Sequence, residues 1–389
     1  MTFELNGNTL TISLEGRIDS SNAESTGKEL TDIIAANSHD SIIIDVEDLE
    51  YISSAGLRVI LKIRKSEPTL KIINASPAVY EVFDITGFTE MLTIEKAYRK
   101  LSVEGCEVLG QGSNGVVYRY DPEIVVKVYR NSDALDDIHR ERELARKALI
   151  SGIPTAIPFD VVKVGDKFAS VFELLNAQSF SKLILNNPDQ LDHYVGLFTD
   201  LLKLIHSTDV NPQDMPSMKK TALNWASFLK DHLDEHNYGK LYAMIDEVPE
   251  VYTMIHGDYH TNNVEMQNGE VLLIDMDTLS YGHPVFELAS MFLGFVGFSE
   301  LDPSVVKKFL GIDSDTAHEI WGKFLRLYVG TDDETVIAGV ADKAMIIGYT
   351  RLMRRTIRRQ NGTEEGRALI EHCRTRLTDL LQKTDTLVF

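Results

Sequence analysis

Apolar and polar residues follow two rhythms along this chain. From Thr9 to Leu14 they alternate with the period of a half-buried strand, and Ser41 to Val46 is a β-branched run suited to a sheet interior. Residues 21–36 and 54–65 instead repeat apolar positions three and four apart, which predicts helices. Leu70 to Ile73 reads as another short strand, while Ala78, Val79, Val82 and Phe83 suggest a small helix ending before Gly87. Thr93 to Leu101 reads as a linking helix or strand. Residues 1–100 are therefore expected to form a compact α/β unit.

From Val108 the pattern changes. A glycine-rich turn leads into the apolar run Ile124–Tyr129, and a helix follows that ends at Gly152-Ile153-Pro154. Asp160 to Val164 and Phe168 to Leu174 are strand candidates joined by Gly165-Asp166. This marks a strand-rich lobe over residues 104–177. Residues 178–389 are mainly helical in pattern, clearest in Tyr194–His206, Ala222–Leu233 and Glu319–Val329.

Composition narrows the class. A chain of 389 residues with 43% hydrophobic content can bury two or three cores. No apolar run reaches the ~20 residues of a membrane span, and Met1-Thr2-Phe3-Glu4 does not open a signal peptide. Cys106 and Cys373 are the only cysteines, which fits a reducing cytoplasm. A formal charge of −20 argues against nucleic acid as a partner. One local exception is Arg351, Arg354, Arg355, Arg358 and Arg359, either a solvated helix face or an anion contact. His206, Trp225 and Trp321 lack companions at a telling spacing and are read as packing residues.

The front unit contains Tyr51-Ile52-Ser53-Ser54-Ala55-Gly56-Leu57, a serine pair between a strand and a helix. Such a pair can cap the helix, and the exposed N–H groups there can receive a phosphate. Together with Asn74-Ala75-Ser76-Pro77 and Phe83-Asp84-Ile85-Thr86-Gly87-Phe88, the string resembles a STAS domain of the anti-sigma factor antagonist type. The resemblance implies a protein partner and makes Ser54 a candidate regulatory phosphosite, with Leu57 on an exposed docking region. Ser53 stands where many phosphorylated members carry Asp.

In the second region, Gly110-Gln111-Gly112-Ser113-Asn114-Gly115 would let backbone amides approach phosphates, with the strand residue Val117 beside it. Lys127 sits inside an apolar strand and needs an acidic or phosphate partner. Glu141 or Glu143 on the next helix can supply it; Glu141 is favoured by its apolar neighbours Leu144, Ala145 and Ala148. The backbone of Phe172-Glu173-Leu174-Leu175 is suited to an adenine edge. Val117, Val125 and Phe172 are either apolar pocket walls or ordinary core.

The most specific string is His256-Gly257-Asp258 with Asn263, followed by Ile274-Asp275-Met276-Asp277. Asp258 can orient a hydroxyl and accept its proton, while Asn263 and Asp275 offer oxygen ligands to Mg²⁺ on a nucleotide. Asp277 is either an auxiliary ligand or an electrostatic neighbour. With the glycine loop, Val126-Lys127-Val128, Gly282-His283-Pro284 and Glu287-Leu288-Ala289, these strings resemble the aminoglycoside phosphotransferase/choline kinase group. Glu287 departs from the Asp common at that position.

The resemblance implies an α/β STAS-like domain followed by a bilobal protein-kinase-like α+β fold with a mainly helical C-terminal lobe. It further implies transfer from ATP, with Mg²⁺, to a hydroxylated small molecule, with Lys127 on the phosphates and Asp275 on the metal. Two other readings stay open: a nucleotide-binding signalling scaffold without turnover, and a protein kinase. An acidic cleft would suit a polyamine-like or aminosugar acceptor; the arginine cluster would suit a negatively charged one.

Overall fold

The strand rhythm of the first hundred residues closes into one sheet. In the computed structural model, which describes residues 1–112, 114–360 and 362–389, five strands stand side by side. They are Thr2–Asn6, Thr9–Ile18, Ser41–Ile52, Lys71–Ala75 and Thr93–Lys96, in that spatial order. The first pair is antiparallel and the remaining pairs are parallel. Parallel neighbours need crossover connections, which the helices Ala23–Ala36, Ser54–Ser66 and Pro77–Ile85 supply. Leu10, Ile12, Ile42, Ile44 and Ile72 form the sheet's share of the core, with Leu30, Ile60 and Phe83 from the helices. The segment Thr93–Lys96 thus resolves as a strand, and the edge strand Thr2–Asn6 is an addition to the expected set. All five of its residues are exposed, so no burial pattern marked it.

Ser53 and Ser54 divide the two roles considered for the serine pair. Ser53 caps the helix, its hydroxyl accepting from the amides of Ala55 at 3.2 Å and Gly56 at 3.4 Å. Ser54 begins the helix and is exposed. Leu57 corrects the expectation of an exposed docking residue. It is 6% exposed because, with Ile60 and Ile63, it forms the face of the helix that enters the core.

Met1–Ser102 and Val161–Asp166 form one compact unit, and Val103–Asp160 with Lys167–Phe389 the other. The expected strand Asp160–Val164 forms, and its Val162 and Lys163 pair in parallel with Arg99 and Lys100.

In the second unit Glu107–Gln111, Gly115–Arg119, Ile124–Tyr129 and Lys167–Glu173 stand side by side in that order, each antiparallel to the next. The helix Leu135–Ile150 buries Ile138, Glu141, Leu144, Ala145 and Ala148. Most remaining elements are helical, with short strands among them at Met254–Ile255, Val264–Gln267 and Glu270–Leu273. Leu191–His206 and Ser314–Val329 begin earlier than their apolar rhythm suggested. Met218–Ser227 starts earlier and stops six residues before Leu233.

One helix organises this region. Val285–Phe295 is buried at all eleven positions, as a helix apolar on every side must be. The long helix Glu334–Gln360 lies against it and carries four of the clustered arginines' neighbours, Leu352, Met353, Thr350 and Thr356, inside. Gly348 permits this approach: a Cβ there would meet Phe292 Cδ1 at 2.6 Å and the Ala289 carbonyl at 3.2 Å. Gly348→Ala is expected to lower unfolding free energy by about 1–3 kcal/mol through overpacking. An unchanged denaturant midpoint would show that the two helices separate at no cost.

Candidate active site

Lys127 stands in a strand whose neighbours Val126 and Val128 are buried. Its Nζ is 2.8 Å from Glu141 Oε1 and 3.2 Å from Asp275 Oδ1. Burial alone would push the ammonium towards neutrality, but Asp275 and then Glu141 outweigh it and hold its pKa above the ordinary value. The second oxygen of Glu141 accepts from the Tyr129 hydroxyl at 2.7 Å, and that hydroxyl lies 3.2 Å from Ser170 Oγ. Glu141 is the partner; Glu143 pairs with Arg146 on the surface. Tyr129 was missed, although its place two residues after Lys127 puts both on one strand face.

The glycine-rich segment is a hairpin turn, with Gly110 paired to Val117 and Gln111 to Val116. Gly112 donates to the Gly115 carbonyl at 3.0 Å, and Arg130 donates to the Gly112 carbonyl through Nε and Nη2. A Cβ at Gly115 would lie 2.4 Å from the Val128 carbonyl, so the strands close only around glycine. Ser113 lies outside the described residues. Asn114 Nδ2 donates to Asp277 Oδ2 at 2.7 Å, which joins the turn to the distal acidic pair.

The loop from His256 to Asn263 is fixed by Glu287. This carboxylate is 0% exposed and accepts from the amides of His256 at 2.6 Å, Gly257 at 2.9 Å and Tyr259 at 3.3 Å. Desolvation raises its pKa, opposed by His256 and by these backbone donors. The longer Glu side chain therefore reaches the loop despite its departure from Asp. Arg351 Nη1 holds the other side, donating to the Gly257 carbonyl at 3.0 Å and to Ser290 Oγ at 2.9 Å. Tyr259 OH donates to the Phe198 carbonyl at 2.7 Å.

Within that loop Asn263 Nδ2 donates to the Asp258 carbonyl at 3.0 Å. The Asn263 carbonyl accepts from the Ile274 amide at 2.9 Å, and His256 Nε2 donates to the Ile274 carbonyl at 3.1 Å. These bonds bring Asp258, Asn263 and Asp275 together. Burial tends to raise Asp258, but the His260 ring 3.6 Å away outweighs it, with Arg351 and His256 behind, and holds the carboxyl at about 2.

Asp275 has left-handed φ 65°, a conformation that costs most residues ~1–2 kcal/mol and that Asp tolerates. The turn places Asp275 at Lys127 and Asp277 at Asn114. Burial, then the charge of Asp275, raises Asp277 to about 7. Oxygen donors with two carboxylates suit Mg²⁺, which completes its shell with phosphates and water. Among the described residues no group of three His, Cys, Asp or Glu side chains is placed to hold a metal ion.

Glu173 and Leu175 line a cavity of about 420 Å³ with Thr155, Ile157, Phe159 and Leu272. Val117, Val125 and Phe172 are not on its wall; Val117 pairs across the sheet with Lys127, and Val125 with Phe172. His206 packs, as expected, with Nδ1 2.6 Å from Tyr328 OH, and burial pushes its pKa down to about 3. Trp225 and Trp321 pack too, against Arg351 and against Phe292 and Phe324.

A carboxyl raised on folding stabilises below its unfolded value and loses that contribution as pH rises through the folded value. Metal-free protein should therefore melt at falling temperature as pH rises from about 4 through about 7, the interval over which Asp277 ionises. Asp277→Asn should flatten the slope; an identical slope in the variant would assign it elsewhere.

Comparison with known proteins agrees with this construction of the fold. The model of the phosphotransferase enzyme family (APH) matches residues 105–321, and that of the STAS domain matches residues 1–101. BtrV of Bordetella bronchiseptica, named as an anti-sigma factor antagonist, is 35% identical over 85 residues, covering 21% of this chain and 72% of that protein. A thermostable mutant of aminoglycoside phosphotransferase APH(4)-Ia, in ternary complex with ADP and hygromycin B, is 14% identical with a TM-score of 0.50. The match covers 71% of this chain and 93% of that one, a likeness of fold. A choline/ethanolamine kinase family protein from Mesorhizobium loti is 15% identical, TM-score 0.45, covering 72% of this chain and 88% of that one. No helix among the described residues is long and apolar enough to cross a membrane. Matched over more than half its length, the chain belongs to the phosphotransferase enzyme family: a kinase-type phosphotransferase preceded by an N-terminal STAS domain.

Proposed function

We propose that the protein transfers the terminal phosphoryl group of ATP to a hydroxyl of a small molecule. The observation that carries this reading is the double contact of Lys127, to Glu141 at 2.8 Å and to Asp275 at 3.2 Å. A charged lysine between an orienting glutamate and a metal-type carboxylate is the arrangement that phosphoryl transfer uses. Lys127 binds the phosphates, and the glycine turn with Gly110, Gly112 and Gly115 covers them. The backbone of Phe172-Glu173-Leu174-Leu175, where the strand Lys167–Glu173 ends, takes the base edge. Asn263, through its amide oxygen, and Asp275 hold Mg²⁺, with Asp277 beside them; the cation supplies neutralisation of phosphate charge.

Asp258 orients the acceptor hydroxyl. Held at about 2, its carboxylate is ionised throughout the working range and is a weak base, so aiming the oxygen is its main task. As the acceptor oxygen bonds to the γ-phosphorus and the bond from that phosphorus to the ADP oxygen breaks, the hydroxyl turns acidic and its proton passes to the Asp258 carboxylate and on to solvent. The STAS domain serves a protein partner, and exposed Ser54, at a helix start where phosphate is favoured, is its candidate modification site.

Purified full-length protein with ATP, Mg²⁺ and a broad acceptor panel tests this, with product mass separating a small acceptor from Ser54 modification. Asp258→Asn should lower kcat by roughly 10²–10⁴-fold with little change in KM for ATP. Asp275→Ala should abolish turnover. Full activity in either variant would contradict the assignment.

A further inference from the structure

Arg351, Arg354, Arg355, Arg358 and Arg359 crowd one stretch of the helix Glu334–Gln360. In a chain of charge −20, several arginines elsewhere find carboxylates: Arg326 pairs with Asp332 and Glu334, Arg376 with Glu300, and Arg119 with Glu107, while Arg64, Arg130 and Arg367 donate to backbone carbonyls. Among the described residues none of the five clustered arginines pairs with a carboxylate. Arg351 binds the Gly257 carbonyl and Ser290 instead. Arg354 and Arg358 lie over the Phe228 ring at 5.3 and 6.0 Å, and Arg355 over Phe298 at 5.4 Å. Arg354 Nε is buried without a hydrogen-bond partner. Desolvation and then mutual repulsion depress the pKa of Arg354 and Arg355. Stacking thus holds guanidinium groups in place with no paired carboxylate among the described residues, the charge of Asp258 offsetting only part of theirs, a state that an arriving anion relieves.

The cluster also adjoins the transfer centre. Arg351 contacts the residue before Asp258, and Arg355 is close enough to feel the Asp258 charge. Positions 351, 355, 358 and 359 share a helix face. At ~1.5 Å rise per residue, Arg355 lies about 6 Å and Arg358 about 10 Å along the axis from Arg351.

We propose that the acceptor is a small hydroxylated phosphate ester, whose phosphate is held by Arg355 and Arg358, with Arg354 and Arg359 beside them, while its hydroxyl lies at Asp258. This rests on the phosphotransfer reading and names its substrate class. A sugar or polyol phosphate carries both groups in one small molecule. A phosphate dianion offers three oxygens to several guanidinium forks, which a single carboxylate does not. A cationic aminosugar would meet repulsion at the same face.

The test uses full-length protein, ATP and Mg²⁺ with matched acceptors: glucose and glucose 6-phosphate, glycerol and glycerol 3-phosphate, and kanamycin as the cationic case. ADP release and product mass report transfer; calorimetry reports binding of inorganic phosphate and of glucose 6-phosphate. The phosphate-bearing acceptors should exceed their neutral partners in kcat/KM by about tenfold or more. Arg355→Gln with Arg358→Gln should raise acceptor KM, and weaken phosphate binding, by roughly 10–100-fold. Arg326→Gln should do neither.

Turnover of kanamycin that depends on Asp258 and ignores the arginine changes would overturn the inference and leave phosphotransfer standing. Phosphate binding abolished by Lys127→Ala but not by the arginine changes would also overturn it. Arginine-dependent phosphate binding without ADP release from any acceptor would support the anion site and sink the phosphotransfer reading.

Discussion

Glu287 is a carboxylate with no exposed surface, on a helix with no exposed residue, and three backbone amides of one loop point at it. An unpaired charge in that position would cost several kcal/mol, and three unpaired amides would add to the cost. Each side therefore requires the other. The consequence reaches the chemistry, because Gly257 and Tyr259 flank Asp258 and their fixed backbone fixes its direction. Arg351 and Ser290 grip the Gly257 carbonyl from the opposite side, so the residue before Asp258 is held through both its N–H and its carbonyl. Gly348 contributes at a distance by letting the arginine-bearing helix approach the glutamate-bearing one.

Around this frame charge is graded. Lys127 faces two acids at one end, while Asp275 and Asp277 repel each other without a cation. Metal and nucleotide phosphates would relieve both, since each brings the charge its neighbour lacks. On the acceptor side the signs reverse: Asp258 is ionised among His260, Arg351 and Arg355. The net charge of the chain says little about this arrangement, since the field at a cleft comes from the side chains that line it.

The parts of the fold legible beforehand were those with strong periodicity. Thr9–Ile18 shows alternating burial and Leu191–His206 a helical apolar face, and both announced themselves. Thr2–Asn6 did not, since an edge strand with five exposed residues is made by backbone pairing alone. The strand Asp160–Val164 was expected, but the pairing of its Val162 and Lys163 with Arg99 and Lys100 is nonlocal and leaves no mark on spacing. At the site, Lys127, Asp258, Asn263 and Asp275 were visible because their chemistry is unusual in their settings. Tyr129, His260 and Ser290 act through contacts set by tertiary packing. Arg351 was noticed for its charge, but its bond to the Gly257 carbonyl required the position of a helix 94 residues further on.

Amide hydrogen exchange at the loop amides measures this dependence most directly. In the intact protein, the Gly257 and Tyr259 amides should exchange as slowly as those of the helix Val285–Phe295, because their acceptor is buried within it. Glu287→Ala should speed both by roughly tenfold or more while the Lys127 amide stays protected. Rapid exchange at Gly257 and Tyr259 in the unaltered protein, or protection that survives loss of the carboxylate, would contradict the account.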